Sequence, residues 1–510
     1  MRQNLPNQMK NIYTILLVAF ISLFATSCEQ GIGTRYAIAI ENSVSLSYDE
    51  QSVTLKYVLG NAEQVSSVKA STAAAWIKNI DTTEIGKITF EVEANDGDVR
   101  QATIKVQAQG HATAEVTVVQ ITKKESTCMQ TLLFYFFGTS LDRYFKTNIQ
   151  DAAAAIAEGA IGTNNRVLFL IQDEKHEAHY GELCYDPINK KCVERHIEDI
   201  TLDGALITPE QIGQNIARIA EIAPAERYGI IFAGHGQGWI PREALNDNGG
   251  ISAFSTSYGM WEQALGAEVT RLGMPETRAF GEKNVQVNIT ELAQGIDLSG
   301  ISLDYILFDA CFMSNVEAIY DLRNCADYII ASPCEIMGRG FPYHRTLPHL
   351  FTDNGATSDL DAAAKSYYSF YKDEYTGNAR CGSVALIDCS QLEGLRDAAK
   401  ELMKTGTIDY DRDNMQTYEG QSYHFFYDIS EWADLAGTDK EAQEAFHEQL
   451  ERTVVAKYTL PTFYSAYGSY GTYTINEEIY SGLTTSAPSY VHTSYWRSSN
   501  WYKDVWPLDM

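Results

Sequence analysis

Residues 228–239 read YGIIFAGHGQGW, and residues 305–317 read YILFDACFMSNVE. Each opens on a short unbroken apolar run rich in Ile and Phe, the pattern of a strand buried on both faces. Each then turns through small residues that carry one chemically active side chain. Two more buried strands are predicted upstream, Thr131 to Phe137 and Arg166 to Ile171. Helical patterns separate them, an alanine-rich Asp142 to Glu158 and an amphipathic Pro209 to Ile222. Strands alternating with helices predict an α/β fold, a mainly parallel sheet with helices on both faces. Ligands of such sheets sit outside the carboxyl ends of the strands, so the residues after Ala233 and Phe308 matter most.

There the sequence places His235, between Gly234 and Gly236, and Cys311, ahead of a helix predicted over Phe312 to Leu322. Flanking glycines let the backbone turn tightly and approach a neighbour. A helix N-terminus stabilises an anion and lowers a thiol pKa. Taken singly, the cysteine reads as a small core residue and the histidine as a turn cap. Found together at the ends of consecutive buried strands, they read as a thiol nucleophile with its acid–base partner. Cys311 would attack a carbonyl, His235 would protonate the leaving group, and backbone N–H groups of Gly236 and Cys311 would receive the oxyanion.

The two strings together resemble the clostripain family of cysteine peptidases, within the caspase–gingipain–legumain superfamily. The resemblance extends over residues 130–510, with TRAFGEKN at 277–284, ASPCEIMGRGFPY at 331–343, FFYDISEWADLA at 425–436 and SGLTTSAP at 481–488 in support. It implies a caspase-like catalytic domain over 128–390, a C-terminal elaboration over 391–510, and a peptide substrate. It also implies that Asp309 borders a pocket for Arg or Lys; the residue reads equally as an acid favouring the predicted helix dipole. Glu335 is a second acidic candidate, and a solvated loop acid is its plain alternative. Family members are often zymogens that cut themselves between the two halves of the site. Arg242, Arg271, Arg278 and Lys283 lie in that interval, Ile240 to Asn284. No cofactor is expected; calcium enters by family analogy only.

The remaining chain frames this body. Residues 1–27 hold Arg2 and Lys10, an apolar run from Ile12 to Ala25, and small residues before Cys28. This resembles a bacterial lipoprotein signal with Cys28 lipidated, implying export and anchoring at the outer membrane; an ordinary cleaved signal is the alternative. A tether over 28–35 precedes period-two strands over 36–122, the pattern of a small immunoglobulin-like β-sandwich. Trp76, Arg100 to Val106 and Val118-Val119-Gln120 resemble a BACON domain, which implies glycan binding; a spacer is the other reading. The net charge of −28 on 510 residues argues against a nucleic-acid partner. Nine cysteines are too few for a disulfide scaffold, although Cys184 with Cys192 and Cys381 with Cys389 could each close a small loop. His176-Glu177-Ala178-His179 is one residue short of a zinc-protease motif and reads as a loop. The aromatic stretch over 458–502 reads as core packing. The rival functions are a same-fold peptidase of non-basic specificity and a catalytically silent surface binding lipoprotein.

Overall fold

The computed structural model describes residues 35–506 except 63–64, 124–127, 139–140, 163, 173–176, 202–206, 247–286, 352–357, 421–422, 467–470, 487–488 and 490–491. Cys28, Arg271, Arg278, Lys283 and His176 lie outside the described residues.

The first eight strands form two four-stranded sheets. They are β1 (Ile38–Ile40), β2 (Ser43–Leu46), β3 (Gln51–Leu59), β4 (Val68–Ser71), β5 (Ile77–Asp81), β6 (Lys87–Val92), β7 (Arg100–Ala108) and β8 (Ala114–Gln120). The orders are β1-β3-β6-β5 and β2-β8-β7-β4. Alternation supplies the core: β3 turns Val53, Leu55, Tyr57 and Leu59 inward and its other side chains outward. Ile88 of the neighbouring β6 lies beside them, and Ile104, Val116 and Val118 meet them from the facing sheet, all four fully buried.

The body is built on nine strands: β9 (Cys128–Phe137), β10 (Asn165–Gln172), β11 (Glu177–Asp186), β12 (Lys191–Thr201), β13 (Ala225–Ala233), β14 (Leu303–Asp309), β15 (Ala326–Ala331), β16 (Val384–Asp388) and, after a short β17 (Tyr427–Asp428), β18 (Val454–Tyr458). The order is β12-β11-β10-β9-β13-β14-β15-β16-β18. The middle five strands are parallel; the two at each edge are antiparallel. The parallel strands carry the continuous apolar runs, as burial on both faces requires. Helices α1 (Asp142–Ala157) and α2 (Pro209–Ile222) match their sequence patterns. Thr208 starts α2 with a capping box to Gln211, and Pro209 occupies its first turn. Beyond α3 (Arg242–Asn246), α4 (Ile289–Leu298) packs on α2 through Gly213 and Gly295, where an added β-carbon would lie 2.9 Å from Leu298 and 2.7 Å from Ile212. The chain order of the parallel strands, second-first-third-fourth-fifth, puts the ends of β13 and β14 side by side.

Three sequence expectations are corrected. Glu177 to His179 open strand β11 rather than a loop, because their neighbours pair in register with β10 and β12. The helix after Cys311 is short, α5 (Val316–Asp321), so Cys311 lies in a loop five residues ahead of it. Neither small disulfide forms, since Cys184, Cys192, Cys381 and Cys389 are free thiols. Cys184 stands opposite Val193 while Cys192 stands opposite Tyr185, so the two thiols point to opposite faces of the ribbon. Cys381 and Cys389 lie beyond opposite ends of β16.

Candidate active site

The loop that carries Cys311 owes its shape to the loop after β15. Phe312 takes a left-handed backbone (φ 60°), unusual for a bulky residue. Its N–H donates to Cys334 O at 3.1 Å, and the Ser314 N–H donates to Ser332 O at 2.9 Å. The left-handed Phe312 cannot lie in a right-handed helix, and the two bonds pin its loop against the loop after β15. Asn315 caps α5 instead, accepting from the Ala318 N–H. The Ile336 N–H donates to the Cys311 sulfur at 3.2 Å, and the Cys311 thiol donates to Ile336 O at 3.8 Å. Burial raises the thiols of Cys184, Cys192, Cys325, Cys334, Cys381 and Cys389, those of Cys192, Cys325 and Cys381 to about 12. Those six are therefore protonated and poor nucleophiles at neutral pH.

The histidine loop lies directly on this one. The Gly234 N–H donates to Asp309 O at 3.4 Å, carrying the β13–β14 ladder past the strand ends. A β-carbon on Gly236 would lie 2.1 Å from Cys311 O and 2.7 Å from Cys311 N, so backbone meets backbone. Gly238 has φ +59°, and a β-carbon there would lie 3.1 Å from Phe312 O and 2.8 Å from the Phe426 ring. Phe426 in turn stacks on Phe312, with centroids 4.7 Å apart. His235 is thereby held between glycines that touch the end of β14 and the Cys311 backbone, and both His235 and Cys311 are buried.

The predicted acids lie close by. Asp309 ends β14 with no exposed surface; its Oδ2 accepts from Tyr343 Oη at 2.8 Å and from the Phe341 N–H at 3.3 Å. Glu335 immediately precedes Ile336. Its carboxylate accepts from the Ser465 hydroxyl and, at 3.2 Å, from the Ala466 N–H. Ser465 Oγ also accepts from the Gly420 N–H at 3.0 Å, which brings Glu419 into the same neighbourhood. Glu419 is buried; burial pushes its carboxyl up, and bonds from His424 and the backbone N–H groups of Phe425 and Phe426 pull it partly back. Of the four basic residues before the second half-site, Arg242 is described. It begins α3 and makes a two-pronged pair with Glu291, at 2.7 and 2.8 Å.

The sequence profile of the clostripain family matches residues 271–508. Solved structures resemble the chain over most of its length. A secreted C11 cysteine protease from Bacteroides thetaiotaomicron is 28% identical, with a TM-score of 0.63 over 74% of this chain and 99% of that one. The chain belongs to the clostripain family of cysteine peptidases. An inactive zymogen C11 protease from Parabacteroides distasonis is 25% identical, with a TM-score of 0.59 over 76% of this chain and 100% of that one. A secreted C11 cysteine protease from Bacteroides thetaiotaomicron solved with an irreversible peptide inhibitor is 22% identical and shares the fold, with a TM-score of 0.59 over 74% of this chain and 98% of that one. No curated protein matches.

For a clostripain-family peptidase, the parts of this site that sequence reading missed are those supplied from far along the chain. They are Trp239, Glu317, Glu419, Ser465 and Ser486. Trp239, Glu317, Ser465 and Ser486 are ordinary residues until the fold brings partners across 45 to 247 positions, and Glu419 arrives beside them through the bond from Gly420 to Ser465. Ser481 to Ser486 was legible as a family segment but not as a wall of the site. Calcium takes six to eight oxygen ligands. Among the described residues no group of three or more His, Cys, Asp and Glu side chains is placed to hold a metal ion.

Proposed function

We propose that the protein is an exported endopeptidase that cuts after Arg or Lys through a Cys311–His235 dyad and matures by cutting itself. The observation that supports this most is the backbone contact between Gly236 and Cys311, which makes one site of the two loops. The Cys311 thiolate adds to the scissile carbonyl, and the backbone N–H groups of Gly236 and Cys311 receive the oxyanion. The C–N bond breaks as His235 gives its proton to the departing amine, leaving a thioester. Water then attacks the thioester, His235 takes its proton, and Cys311 is released. The acids Asp309 and Glu335, flanking the nucleophile's loop, support a basic residue ahead of the cut, where a guanidinium would take a carboxylate in two-pronged fashion. A non-basic preference is favoured by one observation: both carboxylates already accept protein donors.

Self-cleavage is better placed after Arg271, Arg278 or Lys283 than after Arg242, whose backbone is helical and whose guanidinium is held by Glu291. Cys28 as a lipidated residue would tether the protein to the membrane, and metabolic labelling with a palmitate analogue, lost in Cys28→Ala, checks that. The deciding experiment is a peptide panel with Arg, Lys, Leu or Asp before the scissile bond, run with wild type and Cys311→Ala. Arg or Lys should exceed Leu and Asp in kcat/KM by about a hundred-fold. The Cys311→Ala protein should be inactive and remain one chain. Preference for Leu or Asp refutes the basic pocket, and equal processing of purified Cys311→Ala refutes self-cleavage.

A further inference from the structure

The two proposed catalytic side chains sit on separate loops, so their mutual distance depends on whatever ties those loops together. The Gly236–Cys311 backbone contact is one tie. The other runs through the C-terminal segment. Trp239, four residues after His235, donates its indole N–H to Ser486 Oγ at 2.6 Å. The Ser486 hydroxyl donates to Phe425 O at 2.8 Å, and the Ser486 N–H donates to Glu317 Oε1 at 2.9 Å. Glu317 belongs to α5, the helix that follows the nucleophile. Its Oε1 also accepts from Thr485 Oγ1 at 2.9 Å and Trp496 Nε1 at 3.1 Å, and its Oε2 accepts from Asn315 Nδ2 at 2.8 Å. The same segment lies along the nucleophile's loop: the Thr484 N–H donates to Ser314 O at 3.0 Å, and Ser314 Oγ donates to Gly482 O.

Ser486 and Glu317 are both fully buried. A buried carboxylate is unfavourable unless its bonds are supplied, and apolar packing would stabilise this junction more simply. What the polar junction adds is geometry. Directional bonds from separate segments fix the positions of the two loops as apolar packing does not. We propose that Ser486, held by Glu317, is a positioning residue that sets the histidine loop against the cysteine loop through Trp239. The inference rests on reading His235 and Cys311 as the dyad.

Peptidase kinetics test it on Ser486→Ala, Trp239→Phe, their double variant, Ser486→Thr and Cys311→Ala, in the full chain. Ser486→Ala removes the acceptor of the indole N–H and keeps the backbone bond to Glu317; Trp239→Phe keeps a smaller aromatic ring and removes the donor. Each single change should lower kcat about ten- to a hundred-fold, as a misplacement remote from the chemistry does. KM should stay within about two-fold, because substrate contacts are untouched. The double variant should lose no more than the worse single, and Ser486→Thr should recover most of kcat. Wild-type kcat in both single variants, additive losses in the double, or no recovery in a folded Ser486→Thr overturns the proposal. If Cys311→Ala keeps its activity, the dyad reading itself fails. If Cys311→Ala is dead while Ser486→Ala is fully active, only the positioning role falls.

Discussion

A methyl group at Gly236 would have nowhere to go. Its β-carbon would lie 2.1 Å from Cys311 O, and the atom it meets is backbone rather than the end of a flexible side chain. Gly236→Ala should therefore push the histidine loop off the cysteine loop. We expect kcat to fall by about a hundred-fold or more, as an ångström of misplacement does. Overpacking of this kind should cost about 1–3 kcal/mol in urea unfolding, leaving a folded protein to assay. A folded Gly236→Ala enzyme with unchanged kcat would remove the contact from the mechanism. At this scale the sequence was informative, because glycines on both sides of a histidine at a strand end have few other uses. Asp309 was less legible. Its place two residues before Cys311 was readable, but its bonds to Phe341 and Tyr343, 32 and 34 residues on, were not.

The parallel strands β9, β10, β13 and β14 were readable because burial on both faces leaves an unbroken apolar run, whereas the antiparallel edge strands β11, β12, β16 and β18 were not. The element after Cys311 was misread because local pattern favours helix from Phe312 while the left-handed backbone of that residue excludes it. The loop at 332–334 holds that turn through the N–H groups of Phe312 and Ser314, and α5 begins at its cap, Asn315. That cap bears on more than its own helix, since Asn315 Nδ2 also donates to the buried carboxylate of Glu317. Loss of an N-cap costs about 0.5–2 kcal/mol, and the second bond places Asn315→Ala at the upper end of that range. Chemical denaturation measures it; a loss below about 0.5 kcal/mol would mean that α5 does not depend on its cap. Alkylation of Cys311 should slow in the same variant, because the helix and the nucleophile share one loop.

At the scale of the whole molecule, the β-domain does not merely precede the peptidase; it is bonded to it. Within the body, Glu182 lies between Arg166, at 2.7 Å, and Arg195, at 2.8 Å, all three buried. From the β-domain, Asp49 takes Arg195 at 2.9 Å, and the Tyr48 ring lies 4.7 Å from its guanidinium. Ser45 donates to Asp186 and accepts from Asn189. None of this was legible in the sequence, where charged residues about 140 positions apart carry no mark of their pairing. Removing one member of a buried pair leaves the other uncompensated, so Arg195→Met should cost about 3–5 kcal/mol. Because Arg195 also holds Asp49 and Tyr48, its loss should split one thermal transition into two as the domains separate. A single unshifted transition in calorimetry would show that the bridge is dispensable.

The same carboxylate fixes how this junction responds to acid. Burial pushes Glu182 up, but Arg166 and Arg195 more than reverse it, so its folded pKa lies below the ordinary carboxyl value. In the range between the two values the unfolded chain binds the extra proton, so stability there rises with pH. The contribution of Glu182 is therefore whole above the unfolded pKa, about 4.3, and is lost as pH falls through the folded value. Glu317, Glu419 and Asp428 run the other way. Burial raises all three, so each favours the folded state least once it ionises, and its contribution declines as pH rises. Acid should thus loosen the docking of the β-domain before it loosens the junction at Ser486. Unfolding of wild type and Glu182→Gln by urea at neutral pH and below pH 4 separates the two effects. The stability gap between them should be widest at neutral pH and close in acid; a gap that widens in acid would show that Glu182 is protonated in the folded protein.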